Sequence, residues 1–172
     1  MHVKAACEMD DLADRVVLMN DDFFILKPVD RIPAMHRGPV ESAHPAQKAG
    51  GGSPWRKGIM EAARILRSWG IEEPLSYELH VPMEIERRTM VDVLDRALRQ
   101  TNSMDIQQRT LYGNAAAIGG TRQTTDLKIG GNGSRKWAEG ALFVSTTNKS
   151  FHRGQIGQKI RQRFGQPSPY ES

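Results

Sequence analysis

Val16-Val17-Leu18-Met19-Asn20-Asp21-Asp22-Phe23-Phe24 decides how this chain is read. Four apolar residues run into an amide and two adjacent carboxylates, and two aromatics follow at once. Residues 16–19 are too few for a helix and apolar throughout, which suits a strand covered on both faces in a sheet flanked by helices. Unpaired charge cannot lie along a buried strand. The acids are therefore expected at its C-terminal end, where open α/β sheets bind ligands. Two neighbouring carboxylates repel each other unless a proton or a cation lies between them. A hard divalent ion with oxygen ligands, Mn²⁺ or Mg²⁺, answers that need and commonly bridges protein to phosphate. The same Asn-Asp-Asp is also an ordinary turn or helix-cap signal, and the local string does not choose between the two.

Working outward, the chain has 172 residues, 38% hydrophobic and 26% charged, with a net charge of +4. That length predicts one domain, 1–172, with a real core, and the composition excludes disorder throughout. The single Cys7 excludes an internal disulfide framework and points to a reducing, cytoplasmic setting. No apolar run approaches the ~18 residues of a membrane span, and the first residues lack the apolar core of a signal peptide. The modest positive excess suits a phosphate-bearing small molecule as well as a nucleic acid.

Helical spacing of Ala5, Ala6, Met9, Leu12 and Ala13 predicts a helix over residues 2–14 ahead of the strand. Residues 31–57 hold four prolines and Gly50-Gly51-Gly52, and read as a long flexible loop, either a lid or a plain insertion. Ser53-Pro54 opens a helix with an apolar face from Ile59 to Trp69 and a stop at Gly70. In Leu75-Ser76-Tyr77-Glu78-Leu79-His80-Val81-Pro82 polar and apolar residues alternate, which predicts a second inner strand. A helix is expected over 84–99, with Glu84 and Glu86 in its first turn. Residues 101–140 read as loop-rich, 141–146 as a last strand, and Ile156, Ile160 and Phe164 as one face of a final helix. No spacing matches a dinucleotide fingerprint or a phosphate-binding P-loop.

Three features carry chemistry. The first is Asn20-Asp21-Asp22. The second is His80, a base or metal ligand if its strand lies parallel to the first, and otherwise an ordinary half-buried histidine. The third is the acid-free segment with Lys149, His152, Arg153, Lys159, Arg161 and Arg163, either a solvated face or a clamp on pyrophosphate. Arg109 and Asn114 are weaker binding candidates. There is no serine nucleophile elbow, CxxC or HExxH, and Cys7 has no activating neighbour in sequence.

Taken together, Asn20-Asp21-Asp22-Phe23-Phe24, His80-Val81-Pro82, Arg109-Thr110-Leu111-Tyr112-Gly113-Asn114, Ser150-Phe151 and Pro167-Ser168-Pro169-Tyr170-Glu171 resemble the C-terminal part of a phage or bacterial glycosyltransferase. They are also similar to the Stealth-type sugar-phosphate transferases, which carry a like Asn-Asp-Asp and a later His-x-Pro. The resemblance implies an α/β fold of the A-type, Rossmann-like nucleotide-sugar transferase kind, a mixed sheet flanked by helices. It implies a divalent metal on Asp22, with Asp21 as ligand or orienter, holding the donor diphosphate. It places His80 near the reacting centre, with Asn20, Arg109, Asn114 and Arg153 binding substrate.

The expected activity is then transfer of a sugar from a nucleotide-sugar donor to an acceptor, a protein or a glycan; the alternatives are sugar-phosphate transfer or a non-catalytic basic nucleic-acid-binding module. The scarcity of aromatics among the basic residues argues against nucleic acid. Such transferases carry a nucleoside-binding half ahead of the acidic strand, whereas 19 residues precede Asn20 here. The chain is accordingly expected to be a fragment, to pair with a partner chain or itself, or to be inactive.

Overall fold

The computed structural model describes residues 2–45, 53–103, 105–130 and 141–166. In chain order its elements are α1 (His2–Cys7), β1 (Arg15–Leu18), β2 (Phe23–Ile25), β3 (Met35–His36), α2 (Val40–Ala43), α3 (Pro54–Ser68), β4 (Met83–Glu86), α4 (Arg87–Leu98), α5 (Gln108–Ala115), β5 (Thr121–Arg122), β6 (Lys128–Ile129), β7 (Phe143–Thr146), α6 (Asn148–Arg153) and α7 (Gln155–Arg163). This is a mixed α/β protein with small open sheets flanked by helices. It divides into two compact units. The first comprises Met1–Leu18, Arg31–Leu79 and Met83–Thr125, the second Met19–Asp30, His80–Pro82 and Asp126–Ser172.

The first unit is built on α3, α4 and α5. Ile65 and Leu66 of α3, Met90 and Leu94 of α4 and Leu111 of α5 are fully buried in one cluster with Tyr77 and Ile85. α3 starts as Ser53-Pro54 dictates: the Ser53 hydroxyl accepts from the Arg56 amide at 3.3 Å. It ends where Gly70 takes φ +88° and the Ile71 amide turns back to the Leu66 carbonyl. β1 pairs antiparallel with β4, Arg15 opposite Glu86 and Leu18 opposite Met83. β3 pairs parallel with β5.

Several expectations are corrected here. β1 is not covered on both faces: Arg15 and Val17 point to solvent, Val17 at 44% exposure, and β4 is its one partner among the described residues. A short apolar run does not distinguish a buried strand from an edge strand. α1 stops at Cys7, because Glu8, Asp10 and Asp11 would crowd the negative end of a longer helix. The alternating stretch 75–82 is not a strand. Pro74 and Pro82 bound it, and its amides find mixed partners rather than a strand ladder: Leu75 donates to Asn114 Oδ1 at 2.8 Å, Ser76 to the Gly38 carbonyl at 2.8 Å and Tyr77 to Thr110 Oγ1 at 3.2 Å. The strand comes after it, as β4, so Glu84 and Glu86 lie in extended chain and the helix starts only at Arg87. The expected loop 31–57 holds β3, α2 and the start of α3, pinned by Val40, which is fully buried with Ile59 and Ala63; its residues 46–52 lie outside the described ones.

The second unit centres on a three-stranded sheet in the order β2-β7-β6, with β2 antiparallel and β6 parallel to β7. Phe23, Ser145 and Lys128 sit side by side across it. Ile156 and Ile160 of α7 pack with Leu26, Ile129 and Val144. The expected final helix is α7, with Ile156 and Ile160 on its buried face, but Phe164 lies beyond it at 48% exposure, and a further short helix, α6, precedes it across Gly154. No helix among the described residues is long and apolar enough to cross a membrane.

Candidate functional site

The acidic motif does not end β1. Asn20-Asp21-Asp22 forms a turn in which the Phe23 amide donates back to the Asn20 carbonyl at 3.2 Å, and β2 follows. The Asp22 carbonyl then accepts from the Thr146 amide, so Asp22 sits where β2 begins and β6 and β7 end. The string is thus the turn that its residue types also signalled, and the strand ends it lies beside are those of β6 and β7, not the end of β1 expected from the sequence.

Asn20 and Asp21 are exposed, whereas Asp22 is half-buried. Its Oδ2 takes the Lys128 ammonium at 2.8 Å and the Ser145 hydroxyl at 3.1 Å. Burial pushes the Asp22 carboxyl up, but the Lys128 and Ser145 hydrogen bonds, with the charge of Lys128 and the nearby His80 ring, outweigh it and hold the carboxyl below its usual value.

His80 belongs to the same unit, though not through a strand. Asp126 holds it twice: Oδ1 accepts from the His80 amide at 3.0 Å, and Oδ2 lies 2.6 Å from Nδ1. The edge of Phe23 meets the imidazole, ring centroids 6.0 Å apart. Burial raises the Asp126 carboxyl, and the bonds from the His80 ring and backbone more than reverse it. An ionised Asp126 fixes the tautomer with the proton on Nδ1 and leaves Nε2 the lone pair, the arrangement of an oriented general base.

Asp126, Lys128 and Ser145 escaped the sequence reading. The available signal was the two-residue period of Asp126-Leu127-Lys128-Ile129, an acid and a base alternating with apolar residues, which is the pattern of a short half-buried strand.

The other candidates are placed elsewhere. In the first unit Arg109 is buried, and its guanidinium donates to the Leu79 carbonyl at 3.3 Å and the Leu18 carbonyl at 3.1 Å. Burial lowers its pKa, and the Glu78 charge opposes that. Asn114 clamps the Leu75 amide and carbonyl and also donates to the Thr110 carbonyl at 2.7 Å. Both hold backbone in place. In the second unit Arg153 is exposed in the last turn of α6. Pro167-Ser168-Pro169-Tyr170-Glu171 lies outside the described residues.

A divalent ion needs several oxygen or nitrogen ligands converging on one point. Here Asp22 already has a cation in Lys128, and a metal ion at the same oxygen would be repelled by that ammonium. No group of three or more His, Cys, Asp or Glu side chains able to hold a metal is assembled among the described residues. The donor set as arranged does not fit a divalent ion.

No protein-family model, curated protein or solved structure matches this chain.

Proposed function

We propose that the second unit carries the acid–base machinery of a transferase that moves a sugar from a nucleotide-sugar donor to an acceptor hydroxyl. The observation that carries this reading is the His80–Asp126 dyad beside Asp22 and Lys128. His80 Nε2 takes the acceptor's proton while the hydroxyl oxygen attacks the anomeric carbon. The bond to the diphosphate breaks, and nucleoside diphosphate leaves with the electron pair. Asp126 stabilises the imidazolium formed, and Lys128 and Arg153 are the groups we assign to the donor's phosphates. The frame assumed is the A-type transferase fold, with the nucleoside held by a partner chain or a second copy.

One observation favours a second reading. Asp22, the other carboxylate beside the imidazole, is engaged by Lys128, so the base is a histidine and the neutralising group a lysine. Attack at phosphorus asks for little beyond positioning, a base and charge neutralisation. The chain would then transfer a sugar phosphate and release nucleoside monophosphate.

Product analysis with a nucleotide-sugar donor separates the two by the nucleotide released. In either case His80→Ala should lower kcat by about 10²–10⁴-fold, and Asp126→Asn should lower it while shifting the pH profile. Unchanged turnover in His80→Ala would overturn the assignment.

A further inference from the structure

Residues 141–166 contain no Asp or Glu, yet they carry Lys149, Arg153, Lys159, Arg161 and Arg163. All five are exposed, on α6 and α7 or their ends. Arg161 joins the two helices: its guanidinium donates to the Phe151 carbonyl at 2.6 Å and lies 5.3 Å from the Phe151 ring centroid. Arg163 is tied to the Leu26 carbonyl. Lys149 and Arg153 share one side of α6 at four-residue spacing, and Lys159 lies one turn before Arg163 on α7. Their ammonium and guanidinium groups make no ion pair among the described residues. This is a surface of positive charge without a counter-charge among the described residues.

What lies between the cations narrows the partner. Gln155, Gln158 and Gln162 are exposed along α7 and interleave with Lys159, Arg161 and Arg163. A glutamine amide both donates and accepts hydrogen bonds, which suits sugar hydroxyls. Single-stranded nucleic acid wants aromatic faces on which bases stack. Most of the aromatic surface here is taken up internally: Phe24 stacks on Phe151 with centroids 5.8 Å apart and 8° between planes and meets Phe164 at 6.0 Å, which leaves the half-exposed Phe164 as a single open face. A membrane surface wants an apolar helix face turned outward, whereas Ile156 and Ile160 of α7 are turned inward and buried.

We infer that the α6–α7 surface binds an anionic glycan, a hydroxyl-rich polymer bearing carboxylate, sulfate or phosphate groups, and that this is the acceptor class of the transferase. Calling it the acceptor rests on the function proposed above; the binding itself does not.

The experiment is a binding titration of the whole chain against a heparin oligosaccharide, polygalacturonate, neutral dextran and a dT oligonucleotide at two salt concentrations. The inference expects the two anionic glycans to bind, more weakly at high salt, and dextran not to bind. Lys149→Glu with Lys159→Glu should weaken glycan binding by about tenfold or more. Replacing Gln155, Gln158 and Gln162 by Ala should weaken glycan binding, with far-UV circular dichroism unchanged in both variants. Absence of glycan binding, tighter binding of the oligonucleotide, or indifference to the charge reversal in folded protein would each overturn it. Binding without sugar transfer to the bound glycan would leave the surface standing and remove its role as acceptor site; turnover that does not depend on His80 would instead count against the proposed function alone.

Discussion

At the scale of single residues, the second unit is governed by which cation answers which carboxylate. Lys128→Met removes the ammonium from Asp22 and leaves Ser145 as its one described side-chain donor. The Asp22 carboxyl should then titrate higher than in the parent, since the causes holding it down are mainly those of Lys128. The free parent protein should bind Mn²⁺ negligibly by calorimetry, and so should Lys128→Met, because one freed carboxylate does not supply the several ligands a divalent ion needs. Tight Mn²⁺ binding by the parent, abolished in Asp22→Asn, would reinstate the metal expected from the sequence. In the first unit the decisive group is His44. It is 8% exposed, its Nε2 lies 2.8 Å from the Ser76 hydroxyl, and Trp55 meets its ring edge-on. Burial first, then the charges of Arg37 and Arg56, lowers its pKa from 6.5 to about 4. The unfolded chain therefore takes up this proton before the folded one does. The stability His44 contributes is whole above pH 6.5, falls as pH drops from there toward 4, and is lost below that; the full difference is about 3 kcal/mol. Urea melts from pH 7 to 5 should show the decline begin before carboxylates titrate, and His44→Gln should flatten it. A parent curve already flat over that range would refute the assignment.

At the scale of elements, the tightest junction is between α6 and α7. A Cβ on Gly157 would lie 1.7 Å from the Phe151 carbonyl oxygen, a backbone atom that cannot rotate away. Gly157→Ala should thus destabilise the second unit by about 1–3 kcal/mol, seen as a lower Tm with the α6–α7 region exchanging amide hydrogens faster. The elements also show what the sequence could and could not disclose. α3 was legible because its signals are local: a Ser-Pro start, an apolar face and a glycine stop all fall within one stretch. β7 was legible as an apolar run within 141–146, whereas α5 fell inside the segment read as loop-rich. Residues 75–82 were not. Tyr77, Leu79 and Val81 are all buried as the alternation implies, although Ser76 is buried too, and the amides are met by Asn114 and Thr110 of α5 and by the Gly38 carbonyl rather than by a continuous strand ladder. Periodicity reports which side chains are covered and is silent about what satisfies the backbone. At the candidate site, Asp22 and His80 were legible as chemical types at motif spacing. Asp126, Lys128 and Ser145 were not, because each acquires its meaning from a partner distant in sequence.

At the scale of the whole molecule, the first unit keeps an open edge. β1 offers its second side unpaired among the described residues, and Met9, Leu12 and Val17 are exposed close to it in sequence. Edge strands without lysine, proline or a bulge invite pairing with another chain. The chain should self-associate at high concentration, and Val17→Lys should reduce the mass seen by light scattering without lowering Tm. Equal mass for parent and variant would show that β1 is not the contact. The second unit carries a consequence of another kind. It is assembled from three separated pieces of chain, and its Asp22–Ser145 contact spans 123 positions. A protein leaves the ribosome N-terminus first, and contacts between distant positions form slowly because a long loop must close before they are rewarded. Asp22 and His80 are therefore synthesised long before Lys128 and Ser145 exist to meet them. During that interval β2 has no β7 to pair with, and the His80 ring has no Asp126 to fix its tautomer. A nascent chain halted before β6 would own both halves of its recognisable motif and none of its chemistry. The proposed chemistry has to wait until residues 126–145 have been made.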